Sequence, residues 1–319
     1  TSKPIVAWSF GRDDAEEIHK MAVAEAGGQD AFEKRPNYVH YCEPLSPLVS
    51  TFEAMDKLIF AAENRVPVIF TPCPLAGGTA PVTAAGIMIQ AAAESWMGLV
   101  VAQQICPGLP FFMGGVLSVM DMNDMILAYG APELSLMMAG QTELAHFAGL
   151  PLWQTGGCTD SKALDEQASL EGSLSVFFSA LTGGDLCHDV GYTESGLTGS
   201  ILQTVMMDEA IGYSRRITRG IEVNDETLAV EVIDDVGPNG HYLREPHTRR
   251  YYKTEFWYPN LCDRRNFEEW DMMGRTKMHE RVIERTHDIV ATHQPAAISA
   301  ETEAVIEKVL AEAAARVNS

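Results

Sequence analysis

The stretch LCHDVGYTESGLTGS (Leu186–Ser200) sets His188, Asp189, Tyr192 and Glu194 directly behind a short apolar run, with glycines at 191, 196 and 199 loosening the turn beyond it. Imidazole and carboxylate groups can orient a substrate, move a proton or place negative charge, and a tyrosine ring can face a cation. The same arrangement recurs along the chain. Other apolar runs end in Ser9, Phe10, Gly11 and Arg12; in His40, Tyr41, Cys42 and Glu43; in Thr71 and Cys73; in Gly114 and Gly115; and in Gln154, Thr155, Gly156, Gly157, Cys158 and Asp160. Each has a structural alternative. His188 can be a core histidine bonded to a carbonyl, Asp160 a helix cap, Cys73 and Cys158 small hydrophobes. No GxSxG elbow is present for nucleophilic hydrolysis, and Cys42, Cys73, Cys158 and His188 lack clustered zinc-ligand spacing.

The elements that must carry these ends follow from the apolar pattern. Six runs, PIVAWSF (4–10), YVHYC (38–42), PVIFTPC (67–73), PFFMGGV (110–116), PLWQTGG (151–157) and LCHDVGY (186–192), do not alternate polar and apolar. That is the pattern of strands buried on both faces, as in a parallel sheet. Helical stretches lie between and after them, at 13–28, 48–64, 81–105, 131–149, 161–184 and 200–220, with Asp160 as the expected cap of the fifth and Pro81 at the start of the third. Strand–helix alternation of this kind demands crossover connections. The expectation is an α/β fold, a TIM (β/α)8-type barrel lacking its first two βα units in this chain, with six units over residues 1–220 and a helical C-terminal extension over 221–319. In such a barrel the C-terminal strand ends share one mouth, which is why the polar ends are taken together. No GxGxxG or GxxxxGK[ST] loop supports a nucleotide-binding alternative.

Composition excludes some classes. A net charge of −21 repels phosphate backbones, so no nucleic-acid partner is expected. The apolar stretch Ala80–Ile105 contains Gln90, Glu94, Gln103 and Gln104 and reads as a buried helix, so no membrane span is expected. Six cysteines without a CxxC pair point to reduced thiols in a cytoplasmic protein. Unpaired sheet edges would favour a homo-oligomer.

Seven segments, PNYVHYCEPLSPL (36–48), GGTAPVTAAG (77–86), YGAPE (129–133), GGCTDSKALDEQASLE (156–171), HDVGYTESGLTGS (188–200), EVNDETLA (222–229) and HTRRYYKTEFWYPNLCDR (247–264), together resemble the trimethylamine methyltransferase family. The resemblance implies a TIM barrel and transfer of a methyl group from an amine to the Co(I) corrinoid of a separate corrinoid-binding protein. With no pyrrolysine written in the sequence, it is similar to the branch acting on quaternary amines such as glycine betaine. A quaternary ammonium is already charged and leaves as a neutral amine, so the protein's tasks are orientation, desolvation and charge placement.

On that resemblance, His188 is expected to orient the substrate, Tyr192 to offer its ring and Glu194 to supply negative potential. Phe10, Tyr41, Glu43, Gln154, Trp257 and Tyr258 are expected to line the substrate site, and Arg12 to pair with a substrate carboxylate. Six glycines (Gly77, Gly78, Gly114, Gly115, Gly156 and Gly157), with Asp160, are expected to let the corrinoid approach. No bound metal is expected. The alternatives are a zinc-dependent corrinoid methyltransferase for methanol or thiols, and a non-catalytic barrel-fragment binding protein.

Overall fold

The computed structural model describes residues 3–317. Each expected apolar run forms a strand of one sheet. The chain runs β1 (Ile5–Trp8), α1 (Arg12–Ala26), α2 (Gln29–Lys34), β2 (Tyr38–Cys42), α3 (Phe52–Glu63), β3 (Val68–Phe70), the short β4 (Leu75–Ala76) and α4 (Ala84–Ile105). It continues with β5 (Phe111–Gly114), the short β6 (Ser118–Met120) and β7 (Leu127–Ala128), α5 (Pro132–Phe147), β8 (Leu152–Thr155), α6 (Glu166–Thr182), β9 (Leu186–His188), the short β10 (Tyr192–Thr193) and β11 (Thr198–Gly199), and α7 (Ile201–Thr218). The six strands of the main sheet pair in chain order, β1-β2-β3-β5-β8-β9, every pair parallel, in a curled sheet. Chain-order pairing with a helix after each strand is the wall of a (β/α) barrel. Among the described residues, β1 and β9 have no further strand beside them and form open edges.

Strand parity and register decide which side chains share a face. Trp8 is level with Tyr41, Tyr41 with Ile69, Gly114 with Trp153, and Thr155 with His188. These lie on the concave face. Tyr38, Cys42, Val68, Phe70 and Phe111 lie on the other face and join Phe32, Leu58 and Ala102 in the core beneath the helices. Gly98 of α4 has a packing reason: a Cβ there would sit 2.6 Å from the Phe70 ring. Among the described residues, α4 is the one helix long and apolar enough to cross a bilayer by length and composition. Here it packs on β3, β5, α3 and α5. Its buried Glu94 accepts from the Ser46 hydroxyl at 2.7 Å and the Leu48 N–H at 2.8 Å, holding down the loop after β2.

Two expected helix starts move. The fifth long helix is capped by Asp165, whose side chain accepts from Ala168 N–H, and not by Asp160. The third begins at Ala84 after Thr83, beyond Pro81. Past α7 the chain forms α8 (Asp225–Leu228), α9 (Val230–Val236), α10 (Pro246–Glu255), α11 (Phe267–Met272), α12 (Met278–Thr292) and α13 (Ala300–Val317). α12 packs on α7, and α13 packs on α1.

Candidate active site

At the tips of β8 and β9 a hydrogen-bonded row forms on the concave face. The Tyr129 hydroxyl donates to Asp189 Oδ2 at 2.7 Å, and Asp189 Oδ1 lies 2.8 Å from His188 Nδ1. His188 Nε2 lies 3.0 Å from the Thr155 hydroxyl, which is 3.4 Å from the Gly115 carbonyl. Trp153 stacks on the imidazole, ring centroids 4.6 Å apart and planes 6° from parallel. The row holds in either protonation state. A neutral His188 donates from Nδ1 to Asp189 and accepts from Thr155; a cationic one donates from Nε2 to Thr155, which then donates to Gly115.

Burial alone would raise the Asp189 carboxyl, but its bonds to His188 and Tyr129 overcome that and hold it below the ordinary carboxylate value. Tyr129 is pushed far up, by burial first and then by Asp189 beside it. Asp189 therefore keeps its negative charge within the row. Its loop is bent to match: Asp189, Glu194 and Ser195 all have positive φ, at 66°, 53° and 56°. Non-glycine residues hold that conformation at a cost of about 1 kcal/mol or more each, and such strain gathers where a loop must aim its groups. Gly196 (φ +87°) is forced to be glycine, since a Cβ would sit 2.6 Å from the Tyr129 ring.

The neighbouring tips face the same charge. The Tyr41 phenol is raised by burial, with Glu43, Cys73 and Asp189 adding to it. The Cys73 thiol, open to solvent, is pushed up to about 11 by burial, with Asp189, Glu43 and Glu94 contributing. A side chain that water reaches and the protein still desolvates belongs on the floor of a concave mouth. At the β1 and β2 tips, Trp8 Nε1 donates to Glu43 at 2.9 Å, and Phe10 stands edge-on to Trp8 at 4.4 Å. Trp8 is 44% and Phe10 77% exposed, so both rings keep open surface. Lys57, buried in α3, donates to the Ser9 carbonyl at 2.8 Å and lies 5.3 Å from the Trp8 ring centre, which fixes the β1 tip.

Several expected site residues stand elsewhere. Gln154 points to the helix layer, its Oε1 accepting from Ser179 at 2.9 Å and packed so tightly that a Cβ on Gly184 would meet it at 1.7 Å. Arg12 is held by three carboxylates of α1 and α3, Glu16, Asp56 and Glu63, at 3.2, 3.3 and 2.8 Å. Trp257 packs edge-on to Tyr213 and beside Gly212 on α7, lining a cleft of about 350 Å³ in the outer helical layer. The Tyr258 hydroxyl donates to the Tyr252 carbonyl. Glu194 accepts from Thr198 within its own hairpin at 2.7 Å, and the exposed Tyr192 belongs to the same hairpin.

The glycines have reasons within the chain. A Cβ on Gly114 would meet Thr71 at 2.1 Å, on Gly115 Leu117 at 2.5 Å, and on Gly156 and Gly157 Cys187 and Val190 at 3.1 Å. Gly77 and Gly78 lie exposed on the loop after β4, nearest to Met122 and Leu75 at 3.4 Å. Asp160 is a staple: it accepts from the Tyr129 and Gly130 N–H groups at 2.7 and 2.9 Å and from the Ser195 hydroxyl at 2.9 Å. It joins the loop carrying Tyr129 to the loop carrying Asp189. Cys42 faces the helices, its thiol pushed up to about 12 by burial, and among the described residues no three His, Cys, Asp or Glu side chains converge as metal ligands.

Tyr129 and Trp153 are thus the functional candidates that sequence reasoning missed, while Thr155 was collected among the strand ends without a role. Trp153 was findable, because in a strand it and Thr155 flank Gln154 and must share the opposite face.

Comparison with known proteins adds a family. The family model described as Trimethylamine methyltransferase (MTTB) matches residues 1–317. The chain is 33% identical to the Trimethylamine methyltransferase MttB of Desulfitobacterium hafniense over 98% of its length, covering 63% of that protein. It is 31% identical to a Glycine betaine methyltransferase of the same species (strain Y51), over 95% of the chain and 63% of the relative. A Trimethylamine methyltransferase MttB of Methanosarcina barkeri matches at 31% identity over 88% of the chain and 58% of the relative. The crystal structure of the hydroxylamine MtmB complex matches loosely, at a TM-score of 0.40 and 16% identity over 80% of this chain and 50% of that one. The chain therefore spans less than two thirds of the length of these relatives.

Proposed function

The chain belongs to the trimethylamine methyltransferase family, and on that premise we propose that its strand-tip mouth receives a methylated amine and presents one methyl group to the Co(I) corrinoid of a separate protein. The six βα units are then part of a closed eight-unit barrel in the whole protein. The preferred donor is a quaternary ammonium of the glycine betaine type.

The observation that carries this reading is the anionic, aromatic character of the mouth. Asp189 is held ionised with His188 and Tyr129 as partners, Glu43 lies beside Trp8, and Tyr41 feels both carboxylates. A quaternary ammonium has no N–H to donate. It is held by aromatic faces and by negative charge spread over a short distance. Trp8 and Phe10 supply the faces, while Glu43 and Asp189 supply the charge. The corrinoid, carried by its own protein as co-substrate, supplies the nucleophile, so the chain need build none. The Gly114, Gly115, Gly156 and Gly157 turns do not serve as a corrinoid cradle, because the chain's own side chains fill the space beside them. The co-substrate is met by the open rim at Phe10.

As the C–N bond breaks, both electrons stay on nitrogen and a neutral tertiary amine leaves. No proton is required, and Asp189 contributes by attracting the cationic donor to the mouth. The His188–Thr155 pair favours a second reading. Because it accommodates a protonated imidazole, it can hold the proton that a tertiary-amine donor needs at its leaving nitrogen. The six cysteines, all free, suit a reducing cytoplasm.

The test is demethylation. The protein is incubated with reduced corrinoid protein and a panel of quaternary and tertiary methylamines, and the demethylated product is measured by mass spectrometry. Product from at least one cationic donor supports the reading. Product only from methanol or thiols overturns it.

A further inference from the structure

The segment between α7 and α11 carries many charges and exposed apolar side chains but, among the described residues, few ion pairs. α8 and α9 hold Glu222, Asp225, Glu226, Glu231, Asp234 and Asp235 on or beside them, with no lysine or arginine from 222 to 235. The stretch from Arg244 through α10 is the reverse, with Arg244, Arg249, Arg250 and Lys253 against Glu245 up to residue 253, in a chain whose net charge is −21. The two halves are neighbours, yet across them Glu226 and Arg250 form the one ion pair among the described residues, and a cleft of about 730 Å³ separates α8–α9 from α10. Apolar side chains lie open between the charges: Ile221 is 89%, Val230 65%, Ile233 55% and Leu243 87% exposed. The segment is anchored at its far end, where Glu255 pairs with Arg216 of α7 and with Arg219 just beyond it.

The geometry points to this segment as a two-fold self-association surface, with a second copy of this chain as its occupant. An isologous contact places the same patch against itself, so it must be self-complementary. One copy's acidic α9 then meets its partner's basic α10, and Val230, Ile233 and Leu243 are buried between them. Charge complementarity chooses the occupant. A separate basic protein would leave α10 repelled, and a separate acidic one would leave α9 repelled; a second copy satisfies both.

Sedimentation of the purified chain across a concentration series, at low and high salt, tests this. The expected result is a dimer. Substitution of Arg244→Glu with Arg249→Glu weakens it by at least about tenfold, and addition of Asp234→Arg with Asp235→Arg in the same chain restores it. All four positions are exposed, so the thermal midpoint stays that of the parent and separates lost pairing from lost folding. A chain that is monomeric at every concentration overturns the proposal. So does a dimer indifferent to the first pair of substitutions, or a surface that becomes protected only when a corrinoid protein is added.

Discussion

The Tyr129 hydroxyl and the Asp189 carboxylate, 60 positions apart in sequence, meet at 2.7 Å on the concave side of the sheet. Asp160 makes the meeting possible by tying both of their loops together. The bond is charge-assisted and mostly buried, so it is worth more than a surface bond. Tyr129→Phe is expected to lower turnover about tenfold, with the thermal midpoint nearly unchanged; steady-state kinetics beside a melting curve checks both.

Gly196→Ala tests the same contact from behind. It places a Cβ in the Tyr129 ring at a residue of φ +87°. The expected cost is about 1–3 kcal/mol of stability, together with a fall in activity to the level of Tyr129→Phe. The double variant should be no slower than either single one, as a shared cause requires. Additive losses would show that Gly196 acts by another route.

Glu43 offers a substitution that removes charge and keeps shape. In Glu43→Gln the amide oxygen still accepts from Trp8 Nε1, so the ring stays in place. The expected outcome is a KM for a cationic donor raised about tenfold with kcat little changed, the mark of lost ground-state attraction. An unaltered KM would remove Glu43 from the binding surface.

His40 gives the fold a pH dependence of known sign. Burial, with Lys57 adding, lowers the imidazole to about 4 in the folded protein, against ~6.5 in an unfolded chain. Between these values the unfolded state binds more protons. The stabilisation is therefore full above pH ~6.5 and is lost as pH falls towards 4, by up to ~3 kcal/mol as an upper bound. His19, lowered by burial, adds a contribution of the same sign. Urea midpoints measured down this range should fall in the parent and fall less steeply in His40→Asn.

Strand and helix positions were legible because burial on two faces writes uninterrupted apolar runs, and all six runs became neighbours in chain order. Which side chain at a strand tip faces the mouth was harder. Gln154 is polar and sits at a strand tip, yet one step of parity turns it to α6 and turns Thr155 to His188. Glycines at strand tips suggest room for a ligand, and Gly114 and Gly115 are instead room for Thr71 and Leu117. A local pattern cannot separate those uses, since both require a missing Cβ. Tyr129 and Trp257 depended on tertiary packing. One is carried to Asp189 by a staple from a distant loop, and the other is held on the outer helices by Tyr213. Asp189 stood in plain view beside His188, but only the structure shows that it, and not Glu194, joins the row.

The central claim is that the Asp189 charge at the mouth holds a cationic donor in place for methyl transfer to cobalt. It is tested most directly by following the Co(I) absorbance of a reduced corrinoid protein after adding this protein and a quaternary amine, for the parent and for Asp189→Asn. The expected result is decay of the Co(I) band with the parent and, at donor concentrations below KM, a rate about tenfold or more lower with the variant. A flat trace with every cationic donor, or a variant as fast as the parent, would contradict it.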